Sequence, residues 1–421
     1  MEKAIKTPGI RENLFQFILL VCTTAFVGGM VGMERSLLPQ LAVREFGIAS
    51  KTAIFSFIIA FGISKAISNY FAGVLSNKLG RKQLLIVGWL FSIPVPWIIM
   101  YTNTWNWIIF ANVLLGINQG LAWSSTLVMK IDIAEDKNRG LAVGLNEFAG
   151  YLAVGLTTFL VAWIATHYGL RPYPFYTGVL FSMAGLLVSV FIIKDTRSYM
   201  RTASLSPHAT PLLKNVFKDT IFHNRNLSAV VQGGLVNNLN DGMVWGLYPI
   251  ILSAKGLTLT EVGIVTAIYP ACWGIGQLFT GRLSDYVARK QLLFVGMLLQ
   301  SITLLLFLQA ATYLHFIFLS VLLGIGKAMV YPTFIAAIAD NTHPTQRAES
   351  VGIYRFFRDS GYAIGAILTG VLADLLSGST AVACIGGLTM LSAIVIKVRM
   401  KQAPVHSLQF DDVADAMEKT G

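Results

Sequence analysis

The sequence has few charged residues: they make up 13% of its 421 residues, whereas hydrophobic types make up 55%. Because soluble domains carry roughly 25% charged residues, this composition excludes a soluble enzyme, a disordered protein and a fibrous repeat. Cysteine is also scarce. Cys22, Cys272 and Cys384 all lie in apolar runs, and their spacing predicts neither a disulfide framework nor a metal site. The class that remains is a polytopic membrane protein.

Long apolar runs recur along the whole chain. About 20 apolar residues in a helix cross a hydrocarbon layer about 30 Å thick, and continuous runs argue against the alternating pattern of a membrane β-barrel. We predict twelve spans, at residues 14–38, 52–75, 84–101, 107–129, 141–165, 175–193, 227–252, 262–283, 292–308, 313–339, 351–375 and 381–396. The expected fold class is therefore an all-α membrane protein. The first run is too long for a cleaved signal peptide, so it is interpreted as the first span.

Basic residues are concentrated in alternate connections between the spans. The even-numbered connections carry Lys78, Arg81, Lys82, Lys130, Lys137, Arg139, Arg282, Arg289 and Lys290. Because Lys and Arg are retained on the cytoplasmic side, this pattern predicts that both termini are cytoplasmic. The expected location is the plasma membrane, which is the inner membrane in a bacterium. The net charge of +11 is thus attributed to loops beside lipid, and no nucleic-acid partner is expected.

The two halves of the chain share a sequence repeat. Residues 81–85 (RKQLL) reappear at 289–293, an offset of 208 residues, and the same offset relates residues 113–117 (VLLGI) to 321–325. It also relates Asp132 to Asp340. A constant register through several helices predicts two copies of one six-helix unit, related by an axis along the membrane normal.

The repeat sets the expected domain boundaries. We predict an N-terminal six-helix bundle at 1–193, a cytoplasmic linker at 194–226, a C-terminal bundle at 227–400 and a cytoplasmic tail at 401–421. The basic linker either lies on anionic lipid or is a flexible tether, and the sequence leaves both alternatives open.

The connection between the second and third spans resembles the loop signature of the major facilitator superfamily. The signature is matched by Gly73, Leu75, Lys78, Gly80, Arg81 and Lys82, and its second copy by Gly281, Leu283, Asp285, Arg289 and Lys290. The resemblance implies a secondary transporter whose central substrate site lies between two helical bundles. It also implies a cytoplasmic gating motif at Gly73, Asn77, Gly80, Arg81, Lys82, Gly281, Asp285, Arg289 and Lys290.

The chain departs from the family pattern at three places. Asn77 stands where the family usually has Asp, and Asn112 stands where the fourth helix usually has Arg. The Gly-Pro pair typical of the fifth helix of drug/proton antiporters is absent from residues 144–155. These departures argue against a standard multidrug antiporter.

Ionisable residues within the predicted spans are functional candidates, because each costs several kcal/mol unless it is paired or hydrated. The candidates for the substrate and proton pathway are Glu34, Arg35, Lys65, Glu147, Asp241, Lys327, Arg355, Arg358 and Asp359. Five are cationic and four anionic, so mutual neutralisation is the alternative to a role in transport.

Two alternatives apply to the most polar span, residues 351–375. Arg358, together with Lys65 and Lys327, could form a cationic pocket for an anionic or zwitterionic substrate, or it could clamp Asp359 or Asp241. Glu147 and Arg355 are repeat partners, so we expect equivalent locations and no salt bridge between them. Glu147 could carry a proton, or it could be held by a helix end or a loop arginine as part of a gate.

We therefore predict a secondary active transporter that moves a small solute by alternating access. Proton coupling, with Glu34, Glu147, Asp241 and Asp359 as candidate carriers, and a slight preference for export are part of this prediction. The alternatives are an uncoupled facilitator and a non-transporting receptor with the same fold. Because no nucleophile–base pair or metal-ligand cluster is evident, we expect no enzymatic activity, cofactor or metal, and we expect a monomer.

Overall fold

The computed structural model describes residues 9–134, 139–196, 212–343 and 346–401. At 73–78, 139–140, 282, 285–286, 339 and 347–348 the description is limited to the backbone. Residues 197–211 of the predicted linker and residues 402–421 of the predicted tail lie outside the described residues.

The first half of the chain is helical throughout its described ranges. Its helices are α1 (Leu14–Arg35), α2 (Leu38–Arg44), α3 (Lys51–Leu79), α4 (Arg81–Ser92), α5 (Pro94–Tyr101), α6 (Trp105–Asn118), α7 (Ser124–Ile133), α8 (Arg139–Tyr168) and α9 (Tyr176–Leu187). A π-helical turn, Gln119–Trp123, joins α6 to α7, a 3₁₀ turn, Tyr173–Phe175, precedes α9, and a π-helical turn, Val188–Ile192, follows it.

The second half repeats this arrangement with fewer interruptions. A short α10 (Val216–Lys218) and a π-helical turn, Asp219–His223, precede it. Its long helices are α11 (Arg225–Ala254), α12 (Leu259–Tyr286), α13 (Arg289–Phe307), α14 (Tyr313–Asp340), α15 (Arg347–Leu375) and α16 (Gly378–Arg399).

Ten helical rods among the described residues are long and apolar enough to cross a membrane. The helices α11 and α15 have spanning lengths of 30 and 29 residues, but they are not among these ten. Their interior polar residues are Asn237, Asn238, Asn240 and Asp241 in α11, and Arg355, Arg358 and Asp359 in α15. The all-α membrane fold is confirmed, whereas the twelve-span count stays a prediction.

Small residues allow close packing where the halves meet. The backbone of α8 approaches α12 so closely that a Cβ at Gly155 would lie 2.7 Å from the carbonyl oxygen of Ala267. On α12, a Cβ at Gly263 would lie 2.2 Å from Cβ of Ala162. Gly62 of α3 packs equally closely against Ala363 of α15. Two helix pairs, α8 with α12 and α3 with α15, therefore form the seams between the halves.

The described end of the linker is fastened to the second half. Leu213 exchanges two backbone hydrogen bonds with the side chain of Gln346. Arg399 donates from Nη2 to the carbonyl of Phe222 at 2.6 Å. These hydrogen bonds hold Leu213 and Phe222 against the second half. Both alternatives for the linker as a whole stay predictions.

The end of the molecule opposite both termini, called here the far end, is closed by contacts between the halves. Asp374 at the end of α15 accepts hydrogen bonds from the backbone amides of Lys51 (2.5 Å) and Thr52 (2.9 Å) and from the hydroxyl of Ser50 (2.7 Å). A carboxylate at a helix N-terminus satisfies amides that have no intrahelical partner and meets the positive end of the dipole. We call these four residues the far-side latch.

The repeat-related position in the second half shows why the latch bridges the halves. There the N-terminus of α12 has its own capping box, in which Glu261 accepts from the backbone amide of Thr258 at 2.8 Å. The residue that corresponds to Glu261 at the 208-residue offset is Ala53, which has no carboxylate. The N-terminus of α3 is therefore capped by Asp374 of the other half, and the cap couples local helix stability to closure.

Replacing Asp374 with Ala should favour opening of the far end. A cap is worth about 1 kcal/mol, so the ratio of closed to open molecules should fall roughly fivefold. The reporter is Phe55→Cys, placed where Phe55 packs against Gly246 of the other half, in protein whose native cysteines are changed to serine. Labelling of purified protein by a maleimide should be faster in the Asp374→Ala variant.

Glu261→Ala is the matched control, because it removes the cap of α12 without breaking a bond between the halves. It should lower thermal stability and leave the labelling rate unchanged. Equal acceleration by both substitutions would show that general loosening, and not the latch, controls access.

Candidate functional site

Ten charged side chains lie in the interior of the helical rods. Nine are buried and Arg355 is half-buried. The cluster consists of Glu34, Arg35, Lys65, Lys130, Glu147, Asp241, Lys327, Arg355, Arg358 and Asp359. We call it the central charge cluster; it contains all nine predicted pathway residues and one, Lys130, that the sequence reasoning assigned elsewhere.

Lys327 and Asp241 form a fully buried ion pair in the second half. Lys327 Nζ lies 2.7 Å from Asp241 Oδ2 and donates to the carbonyl of Asn237 at 2.5 Å. The hydroxyl of Tyr269 donates to the other carboxylate oxygen of Asp241. The pair connects α11, α12 and α14, and both oxygens of Asp241 are occupied. Asp241 thus cannot accept a proton without weakening an existing contact.

Arg358 and Asp359 form the second buried ion pair. Arg358 Nη2 lies 2.6 Å from Asp359 Oδ1, and Nη1 donates to the hydroxyl of Tyr331 at 2.6 Å. Arg358 thus contacts Asp359 and not Asp241, and its part in a substrate pocket stays a prediction. Asn69 of the first half donates to the second oxygen of Asp359 at 2.6 Å, so this pair is also joined to the opposite half.

Arg355 extends this link between the halves. Its Nη1 donates weakly to Ser124 Oγ at 3.5 Å, and Ser124 in turn donates to Asn69 Oδ1 at 2.7 Å. Among the described residues, Arg355 and its repeat partner Glu147 form no ion pair. The expectation of no salt bridge between them agrees with these contacts.

Glu147 belongs to a polar network within the first half. One carboxylate oxygen accepts from Trp123 Nε1 at 3.0 Å and from Asn146 Nδ2 at 2.8 Å, whereas the other oxygen has no partner among the described residues. Among the described side chains, neither a helix end nor an arginine binds Glu147. The side chains of the loop arginines Arg139 and Arg282 are not described, so the gate alternative stays a prediction. Asn146 accepts from Thr24 at 3.2 Å, which continues the network towards Lys130.

Lys130 was assigned to a cytoplasmic loop from its place in the basic pattern, and this assignment is wrong. It lies in α7, is fully buried, and donates to Thr24 Oγ1 at 2.7 Å and to the carbonyl of Leu20 at 3.0 Å. Its apolar neighbours Met129 and Ile131 were the signal for a helix interior. The orientation argument accordingly loses one residue. Four other basic loop residues, Lys78, Lys137, Arg139 and Arg282, lie outside the residues or side chains that the structure describes.

Glu34 and Arg35 are consecutive residues near the end of α1 and point to different places. Neither carboxylate oxygen of Glu34 forms a hydrogen bond with a described residue, although the side chain interacts with Asn112 in the first half. The three guanidinium nitrogens of Arg35 are likewise without a described partner. Its guanidinium instead lies over the ring of Trp245 in the second half, 3.9 Å from the centroid.

Lys65 lies in the middle of α3 and also lacks an anionic partner. It forms no hydrogen bond or ion pair with the described residues, but its Nζ is 5.0 Å from the centroid of Tyr362. Asp359 and Glu147 interact with it electrostatically from a greater distance. Within the described part of the chain, Lys65 and Arg35 are thus the two cations of the cluster that are not bound to an acceptor.

The predicted gating motif forms the same ion pair in each half. Arg81 Nε lies 2.8 Å from Asp132, and at the repeat-related positions Arg289 binds Asp340. Gly80 has φ of 101°, a left-handed conformation that suits glycine at the turn between α3 and α4.

The other members of the motif add less. Lys82 donates to the carbonyl of Val190 at 2.8 Å, a Cβ at Gly281 would meet no atom within 4 Å, and Lys290 is half-buried at the start of α13. Gly73, Asn77 and Asp285 are described by their backbone alone.

Comparison with known proteins identifies the family. The sequence profile of the Major Facilitator Superfamily matches residues 20–233 and 230–415. The proton-coupled antiporter flippase LtaA of Staphylococcus haemolyticus is 22% identical over 90% of this chain and 91% of its own length.

Two further relatives match over shorter stretches. The inner membrane transport protein YnfM of Escherichia coli is 30% identical over 35% of this chain, and the probable 4-methylmuconolactone transporter of Cupriavidus pinatubonensis is 24% identical over 55%. The matched parts span 36% and 54% of the lengths of these two relatives.

The Lys327–Asp241 pair predicts a non-additive effect on stability. Removing one partner of a buried pair costs about 3–5 kcal/mol because the other charge is left uncompensated. Lys327→Met should therefore lower the thermal unfolding midpoint of purified protein more than the double variant Lys327→Met, Asp241→Asn. Tryptophan fluorescence recorded during thermal unfolding in detergent measures the midpoints of both variants.

Lys214→Met, at an exposed lysine, is the control and should leave the midpoint unchanged. The single variant Asp241→Asn completes the comparison. If the double variant lowers the midpoint by the sum of the decreases in the two single variants, the residues do not stabilise each other.

Proposed function

The chain belongs to the major facilitator superfamily, and from this premise we propose that it is a proton-coupled secondary transporter of a small anionic solute. Membership of the family gives the general class of the protein, which is a multi-pass integral membrane transporter and not an enzyme. The proposal adds the energy source and the charge of the solute. Alternating access between two six-helix halves is the expected means of transport.

The observation that carries the proposal is the charge balance of the central charge cluster. Its described members are six cations and four carboxylates. The excess of two equals the number of cations, Arg35 and Lys65, that have no acceptor among the described residues. Because an uncompensated buried charge costs several kcal/mol, a bound anion would stabilise this region, whereas a bound cation would increase the repulsion.

Hydrogen bonding separates the four candidate proton carriers into two groups. Both oxygens of Asp241 and of Asp359 already accept hydrogen bonds or ion pairs. Glu34 has two oxygens without a described partner, and Glu147 has one. A proton can therefore be added to Glu34 or Glu147 without breaking an ion pair, and these two are the carriers that we propose.

Different relatives support the two further parts of the proposal, which are proton coupling and the chemical nature of the solute. One is named a proton-coupled antiporter and another a probable transporter of 4-methylmuconolactone. Proton coupling and an organic solute are properties of those two relatives, and for this chain they are part of the proposal. The preference for export and the monomeric state stay predictions from the sequence.

The proposal predicts proton movement that depends on an anionic substrate. Protein reconstituted into liposomes should alter internal pH when a pool of anionic metabolites is added under an imposed pH gradient, and pools of cationic or neutral metabolites should have no effect. Glu34→Gln and Glu147→Gln should each reduce this proton flux about tenfold or more, the scale of removing a positioned proton carrier. A pH-sensitive dye trapped inside the vesicles reports the flux, and reversing the gradient reports whether proton and anion move together or in exchange.

Glu45→Gln is the matched control, since Glu45 is exposed at the far end of the molecule and pairs with Arg171. Anion flux that is insensitive to the proton gradient would replace the proposal with an uncoupled facilitator. Absence of flux from all three pools, with correctly inserted protein, would contradict transport of a metabolite and favour a receptor role.

A further inference from the structure

The two cations without an acceptor lie over the same aromatic ring. The guanidinium carbon of Arg35 is 4.7 Å from the centroid of Phe61, and the ammonium of Lys65 is 5.4 Å from it. Phe61 and Lys65 are one helical turn apart on α3, so they share a face. Arg35 reaches the same ring from α1. The two positive groups therefore converge on one place at the interface between the halves.

Three further rings surround these cations. Arg35 lies 3.9 Å from the centroid of Trp245, and Lys65 lies 5.0 Å from that of Tyr362 and 5.9 Å from that of Trp123. The rings of Trp245 and Tyr362 stack, with centroids 4.9 Å apart and planes inclined by 15°. We call Phe61, Trp123, Trp245 and Tyr362 the aromatic corner. Two of its rings come from each half of the chain.

The aromatic rings attract the two cations, but they do not accept hydrogen bonds from the N–H groups of these cations. Ring faces attract a cation electrostatically, yet they do not provide the oxygen acceptors that a guanidinium donates to. Arg35 is 2% exposed, so solvent reaches it poorly. An Arg fork presents paired N–H groups that match a carboxylate bidentately, and this is the interaction that the described residues do not supply.

The neighbouring carboxylates do not supply that contact. Asp241 interacts with Arg35 only at a distance, because it is bound to Lys327 and Tyr269. Glu34 precedes Arg35 on α1 but interacts with Asn112 inside the first half. Arg35 therefore has no acceptor among the described residues, and a bound anion would supply one.

The aromatic corner also restricts the body of the ligand. Flat apolar groups gain apolar burial and offset ring contacts of about 0.5–1.5 kcal/mol each. A strongly hydrated body, such as a sugar phosphate, would have to lose water against the ring faces without gaining acceptors or donors. The surroundings thus favour a single charged head on a flat apolar body.

We propose that Arg35 and Lys65, with the aromatic corner, form the binding site for an aromatic carboxylate. This inference rests on the proposed function and names the chemical class of its solute. The carboxylate lies against the N–H edge of Arg35 with the ammonium of Lys65 nearby, and the aromatic body contacts the edges of Trp245 and Phe61, because Arg35 and Tyr362 already lie over the faces of Trp245. Trp245 is a specificity-determining residue in this arrangement, because it contacts the body of the ligand and not its charge.

Equilibrium binding to the full-length protein purified in detergent tests this site, with isothermal titration calorimetry as the measurement. The probes are benzoate, cyclohexanecarboxylate, acetate and benzylamine. Benzoate should bind more tightly than cyclohexanecarboxylate, which has the same charge but is not flat. Acetate should bind more weakly than both, and benzylamine should not bind.

Two variants separate the charge from the ring. Arg35→Gln should weaken benzoate about tenfold or more, as expected for a lost charge-assisted contact, and Arg35→Lys should give an intermediate affinity because it keeps the charge without the fork. Trp245→Leu should remove the preference for benzoate over cyclohexanecarboxylate and change acetate little. Arg44→Gln, at an exposed arginine on α2, should bind benzoate like the unmodified protein.

The proposal is overturned if benzoate binds no better than acetate, or if Arg35→Gln and Lys65→Gln, each shown to be folded by its unfolding midpoint, bind benzoate unchanged. Aliphatic anions that drive proton flux while benzoate does not bind would refute the aromatic class and leave the proposed function intact. Benzoate binding without any anion-dependent proton flux would support the site and refute proton coupling.

Discussion

Placing ten charged side chains, nine of them buried, among apolar helices is the constraint on which the rest of this structure depends. Each ion removed from water costs several kcal/mol, which only close pairing and further hydrogen bonds offset. The Lys327–Asp241 pair satisfies this requirement together with Tyr269 and the carbonyl of Asn237. The contact thereby fixes α11, α12 and α14 relative to one another, because none of the partners can move away alone. Asp241 of α11 and Arg358 of α15 thus help to hold the second half together, whereas Arg355 bonds to Ser124 of the first half.

The strong contacts lie within the halves, and the contacts between the halves are of a different kind. Lys130 is linked to Glu147 through Thr24 and Asn146 inside the first half, just as Lys327 binds Asp241 inside the second. The hydrogen bonds that bridge the halves include the one from the Asn69 amide to Asp359, a weak bond from Arg355, the cap that Asp374 provides to α3, and the bond from Gln40 to the carbonyl of Pro249. None of these contacts is an ion pair, so the halves can move apart without separating two paired charges in the interior. Two stable bodies joined by contacts of about 1 kcal/mol each are the mechanical condition for alternating access.

The sequence was informative where a single helix or the repeat carries the information. Run lengths located the helices, and the 208-residue offset anticipated that Arg81 and Arg289 occupy equivalent positions, which now pair with Asp132 and Asp340. Partner choice was not predictable, because spacing along one helix defines a face and not the helix opposite. Arg358 could have bound Asp359, Asp241 or a substrate until the packing of α15 was known. Lys130 was misassigned because the excess of basic residues in nearby loops outweighed the apolar residues on either side of it.

Two adjacent residues of α1 face different surroundings inside the protein. Successive side chains on an α-helix point about 100° apart, so Glu34 faces Asn112 within the first half while Arg35 faces Trp245 across the interface. The two groups also interact electrostatically. At an effective dielectric constant near 20, two charges a few ångströms apart interact by about 4 kcal/mol, so a change of charge at Glu34 alters the field at Arg35 without any change in its contacts. The proton that we propose at Glu34 and the anion that we propose at Arg35 would therefore be coupled by the helix that carries both residues, and neither ligand would need to touch the other.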